Sequence, residues 1–442
     1  MSEVGILGQA LAEHADRLMP CVHCGFCLPA CPTYVRLGDE ADSPRGRLHL
    51  MGAVVEGRLD PASDAFRVHI DRCLGCRACE PVCPSGVEYG ALLEVARDVA
   101  ARARPPALPT RLLLRIFGSR PGRALFLGVG AFLRNTGLAS LGARALPGWG
   151  PFRSARFGLA MLASTERWEG LRWIRATEGQ EAPEDPAPPT TGPRVALLTG
   201  CVQEGLYDRV NQATARVLEA NGCQVVAMPG GGCCGALHAH GGDLETARRL
   251  ARTEVRRFLD ADVDHVVVNA AGCGATMKEY DELLGGDPAE SDAGALARRV
   301  RDVNELLAEL GPRTGAPVPC RVAVDHPCHL LHAQGIRQAP LAVLKAVPGA
   351  EVRLVEDADE CCGGAGIYGI THPELGGRIG ADKVRSVRAT ECEVVATANP
   401  GCMMQIGAGL RLQGAPEGVM HPVELLDVSY RRAGFYDEER DG

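Results

Sequence analysis

Two runs of cysteine near the start of the chain share the spacing C-x2-C-x2-C-x3-C-P. Three thiolates at this tight spacing can bind one face of an iron–sulfur cube, and the fourth lies beyond the turn. Two complete sets therefore predict two [4Fe–4S] clusters and one-electron chemistry. The eight candidate ligands are Cys21, Cys24, Cys27, Cys31, Cys73, Cys76, Cys79 and Cys83.

This spacing resembles that of two-cluster bacterial ferredoxins, in which the last cysteine of each run binds the cluster of the other run. The resemblance implies two crossed ligand sets. One is Cys21, Cys24, Cys27 and Cys83, and the other is Cys73, Cys76, Cys79 and Cys31. A structural zinc module, which uses about four ligands in pairs, is the disfavoured alternative.

Arg45, Gly46 and Arg47 lie between the two runs. We interpret them as part of a helix-end turn with solvated arginines. The alternative is that their positive charges raise the reduction potentials of the clusters.

The 442 residues divide into four regions, and the fold class expected is α+β multidomain. Residues 1–100 are predicted to be a helical two-[4Fe–4S] ferredoxin-type domain. Residues 101–193 are a basic helical segment that ends in a Pro-rich linker over 177–193. Two homologous α/β domains follow, copy one over 194–319 and copy two over 320–442.

The duplication is visible in landmarks separated by 127 to 129 residues. Arg194-Val195-Ala196 matches Arg321-Val322-Ala323, and each copy then repeats a single cysteine, Cys-Cys-Gly and Gly-Cys. Apolar runs predict strands over 194–199, 224–228 and 263–269, and over 321–325, 351–355 and 393–398. Helical patterns separate these runs, so each copy is expected to contain a small parallel sheet.

Each copy offers four soft ligands at strand ends or in Gly-rich turns, which suits an iron–sulfur cluster or zinc. These candidates are Cys201, Cys233, Cys234 and Cys273 in copy one, and Cys328, Cys361, Cys362 and Cys402 in copy two. Reduced thiols without metal are the third alternative. Near them, His326, His329 and His332 are interpreted as surface or hydrogen-bonded core residues rather than ligands or proton carriers. Cys223, Cys320 and Cys392 fall outside the repeat and are expected to be buried.

The region 101–176 carries 13 arginines and two acids in a chain whose net charge is −8. Because the net charge is negative, nucleic acid is not the expected partner. The basic helices could bind an anionic membrane, dock an acidic subunit or pack over the ferredoxin domain, and packing is favoured. The N-terminus lacks the pattern of a secretion signal, and no apolar run reaches about 18 residues. The expected location is the cytoplasm, with peripheral contact at the inner face of the membrane as an alternative.

The paired Cys-Cys-Gly segments resemble the cysteine-rich CCG domains of heterodisulfide reductase subunits. The order of domains over nearly the whole chain resembles the iron–sulfur subunits of bacterial glycolate oxidases. The segments that carry this likeness include CVHCGFCLPACPTY (21–34), DRCLGCRACEPVCPSGVEYG (71–90) and CCGGAGIYGITHPEL (361–375). Heterodisulfide reductases end the motif with C-x-x-C, whereas Thr276 and Gln405 stand at that last position here.

The resemblance implies a multi-subunit glycolate dehydrogenase in which this chain is an electron carrier with no catalytic residue of its own. Flavin-binding subunits would oxidise glycolate or D-lactate, and electrons would then pass through this chain to a quinone or similar acceptor. The cofactors implied are two [4Fe–4S] clusters, with a further cluster or zinc in the CCG copies. A subunit of a glycerol-3-phosphate or lactate-utilisation dehydrogenase, or a heterodisulfide-reductase-like subunit, remains an alternative.

Overall fold

The computed structural model describes residues 9–150, 152–166, 192–228, 232–366 and 368–436, with the side chain of Ile370 outside the description. The linker predicted over 177–193 lies outside the described residues except for its last two positions. The first eight residues of the N-terminal segment also lie outside them, as do Gly230 and Gly231.

The ferredoxin-type region is built from short helices around an apolar core that includes Met51, Phe66 and Ile70. Its helices begin where the sequence favours a helix N-terminus. The Ser43 hydroxyl accepts a hydrogen bond from the Gly46 amide at 2.9 Å, and Pro44 occupies the first turn. The helices are Ala15–Leu18, Pro32–Leu37, Pro44–Val55, Asp64–Arg72 and Tyr89–Ala103, with a 3₁₀ turn over Glu40–Asp42.

The basic segment is helical, as its composition indicated, but its packing surface differs from the expected one. Its buried residues contact the two copies: Leu127 packs in one core with Leu206 of copy one, and Met161 packs with Ala408 of copy two. The expectation that these helices pack over the ferredoxin domain was therefore wrong about the partner surface. The helices are Leu108–Phe117, Arg120–Asn135, Leu138–Ala145 and Phe152–Ala163.

Each copy contains a parallel sheet of four strands, in the order β2-β1-β3-β4 in copy one and β6-β5-β7-β8 in copy two. Equivalent register positions recur: Val195 pairs with His265 in copy one, and Val322 pairs with Val394 in copy two. The three strands predicted in each copy are present, and the fourth was missed because its residues form no apolar run: they are Val-Arg-Asp in copy one and Gly-Val-Met in copy two. The strands are β1 (Arg194–Leu198), β2 (Gln224–Val226), β3 (His265–Val268), β4 (Val300–Asp302), β5 (Cys320–Val324), β6 (Ala350–Leu354), β7 (Val394–Ala396) and β8 (Gly418–Met420).

Helices connect the parallel strands, as is usual for the long crossover between such strands. In copy one they are Cys201–Leu206, Asp208–Ala220, Ala236–His240, Leu244–Leu259, Ala271–Lys278, Tyr280–Leu283, Glu290–Ala297 and Val303–Leu310. In copy two they are Ala339–Lys345, Tyr368–Thr371, Pro373–Ala389, Pro400–Leu412 and Pro422–Arg432, with a π-helical turn over His329–Ala333.

The two copies contact each other through the first long helix of copy one and the last helix of copy two. Arg216 forms two hydrogen bonds of 2.9 Å with the Asp427 carboxylate, and Arg209 donates to Glu424 at 2.8 Å. Elsewhere the Ala271 amide donates to the Ala398 carbonyl, so the loops that follow β3 and β7 also touch. The carboxyl ends of the central strands of both sheets therefore face each other.

None of the helices in the described part of the chain is long and apolar enough to cross a bilayer alone. The helices Arg120–Asn135 and Leu138–Ala145 pass that test only as a pair, with a bend of 76° between them.

The ion pair between the copies gives a stability prediction. Arg216→Ala removes both hydrogen bonds to the buried Asp427 carboxylate, so the free energy of unfolding should fall by about 1–3 kcal/mol. Urea unfolding measures the difference. Arg385→Ala breaks an exposed pair with Asp382 and should cost less than about 0.5 kcal/mol. Equal losses for the two variants would contradict a stabilising role for the interface pair.

Candidate metal centres

Four thiols from the two ferredoxin-type runs surround one small cavity: Cys21, Cys24, Cys27 and Cys83, with Cys79 at its inner wall. The loop that carries the first three bends through positive φ angles at His23 and Gly25. Arg45 holds this loop, because its guanidinium donates to the His23 carbonyl at 2.8 Å and pairs with Glu40. Cys24 is exposed, so this thiol set lies near the surface.

The second set lies deeper. Cys73 and Cys79 are buried, and Cys31 is buried at the start of the helix Pro32–Leu37. Burial raises the pKa of the Cys79 thiol, and the neighbouring sulfurs of Cys76, Cys73 and Cys31 raise it further. These four sulfurs are therefore electrostatic neighbours. A group of soft donors in one small region fits an iron–sulfur cluster, which needs thiolates converging on one volume.

Arg47 lies beside this deeper set, fully buried, and the interpretation of a solvated arginine was wrong for it. Its guanidinium donates to the His69 carbonyl at 2.6 Å and to Thr33 at 3.1 Å, and it lies 3.9 Å from the Cys31 sulfur. Asp42 pairs with it at 3.3 Å. A buried cation is costly unless it is paired and hydrogen-bonded, and these contacts satisfy it.

The charge of Arg47 alters the neighbouring thiol. Burial alone would raise the pKa of Cys73, but the positive charges of Arg47 and Arg97 outweigh it, and the pKa is lowered. The Tyr89 hydroxyl and the Gly75 amide also donate to the Cys73 sulfur, at 3.5 and 3.4 Å. The site thus favours the thiolate that a metal ion needs.

In copy one the cysteines lie at the carboxyl end of the sheet, between β1 and β3. Cys201 begins the helix after β1, and Cys273 lies in the helix after β3. Cys233 and Cys234 precede Gly235, whose φ of 87° lets the chain turn towards them. The thiols form hydrogen-bonded pairs, Cys201 with Cys233 and Cys234 with Cys273. In the first pair, the bond from Cys201 lowers the pKa of Cys233.

Copy two repeats this arrangement between β5 and β7. The Cys362 and Cys402 sulfurs are 3.2 Å apart, and Cys361 is hydrogen-bonded to Cys328. Hydrogen bonds from Cys361 and Cys402 lower the pKa of Cys362, and the charge of Lys383 adds to this effect. Lys383 is itself buried between Asp325, at 2.9 Å, and Asp357, at 3.1 Å. Each copy therefore has the donor set of a metal site.

The two sets of thiols are not separate. One cavity of about 270 Å³ between the copies is lined by all eight CCG cysteines and by Cys76 of the ferredoxin-type domain. Burial raises the pKa of the Cys76 thiol, and the charge of Cys328 is the next largest cause. The deeper ferredoxin set therefore adjoins the thiols of copy two directly.

Two histidines contact the ferredoxin-type domain where it adjoins the two copies. His329 Nε2 lies 2.9 Å from the Gly75 carbonyl in the loop between Cys73 and Cys76, and its ring packs against His240 with centroids 5.0 Å apart. His240 Nδ1 in turn lies 2.9 Å from Glu94 Oε1. Burial lowers the pKa of His329 to about 4, so it is neutral at pH 7. The interpretation of a hydrogen-bonded core histidine fits His329.

The remaining residues named from the sequence have different environments. The interpretation also fits His332, which bonds the Asp359 carbonyl, but it was wrong for His326, which is buried and whose ring nitrogens have no partner among the described residues. Cys223, Cys320 and Cys392 are buried outside the cavity, as expected. At the positions of the absent fifth cysteines, Thr276 and Gln405 bond backbone carbonyls. The sequence did not indicate a role for Lys383, Glu254 or His240, because their proximity to the cysteines depends on tertiary packing.

A matched pair of substitutions tests whether the cavity thiols hold metal. Cys402 and Cys392 are both buried in copy two, but only Cys402 lines the cavity. Cys402→Ala should lower the iron or zinc bound per chain, whereas Cys392→Ala should leave it unchanged. Metal analysis of anaerobically purified protein measures both. Equal metal content in the two variants would show that the cavity thiols bind no metal and have only a structural role.

Comparison with known families agrees with this geometry. A 4Fe-4S dicluster domain matches residues 17–87, and the cysteine-rich CCG domain matches residues 195–278 and 322–407. The chain therefore binds iron–sulfur clusters through its first domain, and the α+β organisation predicted from the sequence is confirmed.

Three curated relatives are similar over different lengths. A probable glycolate oxidase iron–sulfur subunit of Bacillus subtilis (strain 168) is 37% identical over 439 residues, covering 94% of each chain. The glycolate oxidase iron–sulfur subunit of Escherichia coli (strain K12) is 34% identical, covering 96% of this chain and 97% of its own. Lactate utilization protein A of Geobacillus kaustophilus (strain HTA426) is 29% identical over 53% of this chain and 99% of its own. With two cysteine-rich domains behind a dicluster domain and this identity over almost its entire length, the chain belongs to the family of glycolate oxidase iron–sulfur subunits.

Proposed function

We propose that this chain passes electrons one at a time from a flavin subunit that oxidises glycolate, or D-lactate, to a quinone-type acceptor. A flavin takes up an electron pair from the substrate, whereas each iron–sulfur cluster carries a single electron. A relay of clusters is therefore the connection that such a complex needs. The observation that carries the proposal is the continuous row of thiol sets from exposed Cys24 to the cavity between the copies.

Two [4Fe–4S] clusters occupy the ferredoxin-type domain in this proposal. The outer one is held by Cys21, Cys24, Cys27 and Cys83, and the inner one by Cys31, Cys73, Cys76 and Cys79. The crossed assignment is supported by the shared cavity around the first set and by the mutual proximity of the sulfurs in the second. The first cluster lies nearer to solvent because Cys24 is exposed.

Electrons enter at the outer cluster. Large apolar side chains beside exposed Cys24 support this direction: Met19 is 81% exposed, Val22 69% and Phe26 65%. Exposed apolar side chains grouped around one site are typical of a protein interface. We assign this surface to the flavin subunit, which would bring its flavin close to the outer cluster.

Electrons leave through the inner cluster towards copy two, because Cys76 adjoins Cys328 at the edge of the cavity. If the cavity thiols hold iron, the relay continues through them. If they hold zinc or no metal, the inner cluster is the last carrier in the chain. About eight iron atoms per chain would indicate two clusters, and about twelve or more would indicate a further one.

Ligand substitutions test the relay in the assembled complex. Cys27→Ser or Cys76→Ser should abolish glycolate-dependent reduction of a quinone analogue, because each removes a ligand from one cluster. The flavin should still be bleached by glycolate, because its reduction by the substrate precedes electron transfer to the clusters. Cys223→Ser, a buried cysteine outside every thiol set, is the control and should transfer electrons normally. Quinone reduction that survives loss of Cys27 and Cys76 would exclude these clusters from the path.

The buried charge of Arg47 gives a second prediction. Arg47→Gln should make the reduction potential of the inner cluster more negative, because the reduced cluster carries more negative charge. With a charge about 4 Å from one ligand sulfur and a cluster charge spread over the cube, the change is about 2 kcal/mol, roughly 90 mV. A redox titration followed by EPR measures it, in samples with unchanged iron content. Arg47→Lys keeps the charge and should shift the potential less, and equal shifts would mean that charge is not the cause.

A further inference from the structure

A second cavity, with a volume of about 330 Å³, lies where four parts of the chain meet. The helices Asp64–Arg72 and Tyr89–Ala103 of the ferredoxin-type domain form one side. Short segments of the basic region, copy one and copy two form the rest. We call it the junction cavity. It adjoins the thiol cavity at Leu74 and Leu237, but no cysteine is among the described residues that line it.

The lining of the junction cavity is positively charged. Its charged or titratable side chains are Arg67, Asp71, Arg97, His240 and His372. His240 is engaged with Glu94, which lies outside the cavity. Burial, together with the charges of Arg97 and Arg72, lowers the pKa of His372 to about 4, so this ring is neutral at pH 7. Two arginines against one carboxylate therefore leave at least one positive charge in excess.

Arg67 lacks a counter-ion in this lining. Its Nε is buried, and its guanidinium makes no hydrogen bond or ion pair with the residues that the structure describes. Asp71, one turn further along the same helix, is influenced by the charge of Arg67 but is not hydrogen-bonded to it. A buried donor without an acceptor is costly. A carboxylate is the acceptor that matches the two parallel N–H groups of a guanidinium.

His372 supplies a second polar group. Its ring stacks on that of Tyr368 with centroids 4.4 Å apart, and its Nδ1 lies 3.0 Å from the Thr371 hydroxyl. The Nε2 atom has no partner in the described part of the chain, so it can bond an oxygen of a ligand. The remaining wall is apolar and includes Leu74, Pro106 and Leu237. Small-molecule sites combine such a wall with a few polar groups that orient the ligand.

We propose that the junction cavity binds a small monocarboxylate with an apolar body. The carboxylate lies against Arg67 and His372, and the apolar body packs against Leu74 and Leu237. The excess positive charge selects an anion, and the apolar wall selects an organic anion over an inorganic one. The site lies beside the electron path described above and does not depend on the identity of the electron donor or acceptor.

Arg97 connects this site to the inner thiol set. Its guanidinium donates to the Cys73 carbonyl at 2.5 Å and to the His240 carbonyl at 3.0 Å, and neither acceptor neutralises its charge. That charge lowers the pKa of Cys73. A carboxylate bound in the same cavity would oppose the charge and stabilise the reduced form of a cluster at the inner set less. Ligand binding should therefore make the reduction potential of that cluster more negative.

Carboxylate binding is tested by isothermal titration calorimetry of the complete chain with benzoate. One equivalent should bind saturably, and benzamide, a neutral molecule of the same shape, should bind at least tenfold more weakly. Arg67→Gln should weaken benzoate binding at least fivefold, and Arg67→Lys, which keeps the charge, should weaken it less. Absence of saturable binding, or equal affinity for benzoate and benzamide, would overturn the site.

Arg104→Gln is the matched control, because Arg104 follows the helix that carries Arg97 and is exposed but does not line the cavity. It should bind benzoate as the unmodified protein does. His372→Phe gives a second test if Arg67→Gln fails to fold, since it keeps an aromatic ring against Tyr368 and removes both ring nitrogens. It should weaken binding at least threefold. Unchanged affinity in the folded variants of Arg67 and His372 would overturn the assignment.

A redox titration followed by EPR separates this site from the proposed relay. Saturating benzoate should move the potential of the inner cluster to more negative values in the unmodified protein but not in Arg67→Gln. Benzoate binding without any such shift would overturn the link through Arg97. Normal glycolate-dependent quinone reduction by a complex that binds no benzoate would overturn the site and leave the relay intact. Saturable benzoate binding by a complex that reduces no quinone would overturn the relay and leave the site intact.

Discussion

The meeting of two parallel sheets at their carboxyl ends determines most of what this chain can do. In each sheet the strand order changes direction beside the first strand, and the loops that leave β1, β3, β5 and β7 collect at that point. Ligand sites in open parallel sheets lie at such places. Because the copies face each other there, two sites that would be separate in isolated domains share one cavity. The ferredoxin-type domain closes one side with Cys76, and the basic helices close another.

Two buried cations lie beside cysteines and favour the thiolate form of their side chains. Arg47 is held by Asp42, the His69 carbonyl and the Thr33 hydroxyl next to Cys31 and Cys73. Lys383 is held by Asp325 and Asp357 beside Cys362. Each cation is paired, so the cost of its desolvation is offset. Its positive charge still acts on the neighbouring cysteine and lowers the pKa of that thiol. Copy one lacks a lysine in the equivalent place and instead has Glu254, which accepts a hydrogen bond from the Cys233 amide at 3.2 Å. The duplicated sites therefore differ in electrostatics even though their cysteines correspond.

Spacing along the chain was sufficient to predict the two-cluster domain, the duplication and six of the eight strands, because these depend on local pattern. Strands β4 and β8 were missed because Arg301 and Asp302 interrupt the apolar pattern in β4 and Gly418 begins β8, whereas β2 and β7, although equally short, contain adjacent valines. The burial of Arg47 was not predictable from SPRGR, since it depends on the helix Asp64–Arg72 crossing behind it. The shared cavity and the surface on which the basic helices pack both depend on how the domains meet, so neither could be predicted from the sequence. Spacing within a motif carries no information about contacts between residues 254 positions apart, such as Gly75 and His329.

The difference in exposure between the two ferredoxin thiol sets has a consequence for how the protein ages in air. Dioxygen attacks iron–sulfur clusters most readily where solvent reaches them, and the set around exposed Cys24 is the accessible one. The buried set around Cys73 and Cys79 is shielded by the helices and by copy two. Oxidative damage would therefore begin at the outer thiol set, and in the proposed relay a partly degraded chain would lose its connection to the flavin subunit while its inner set remained intact.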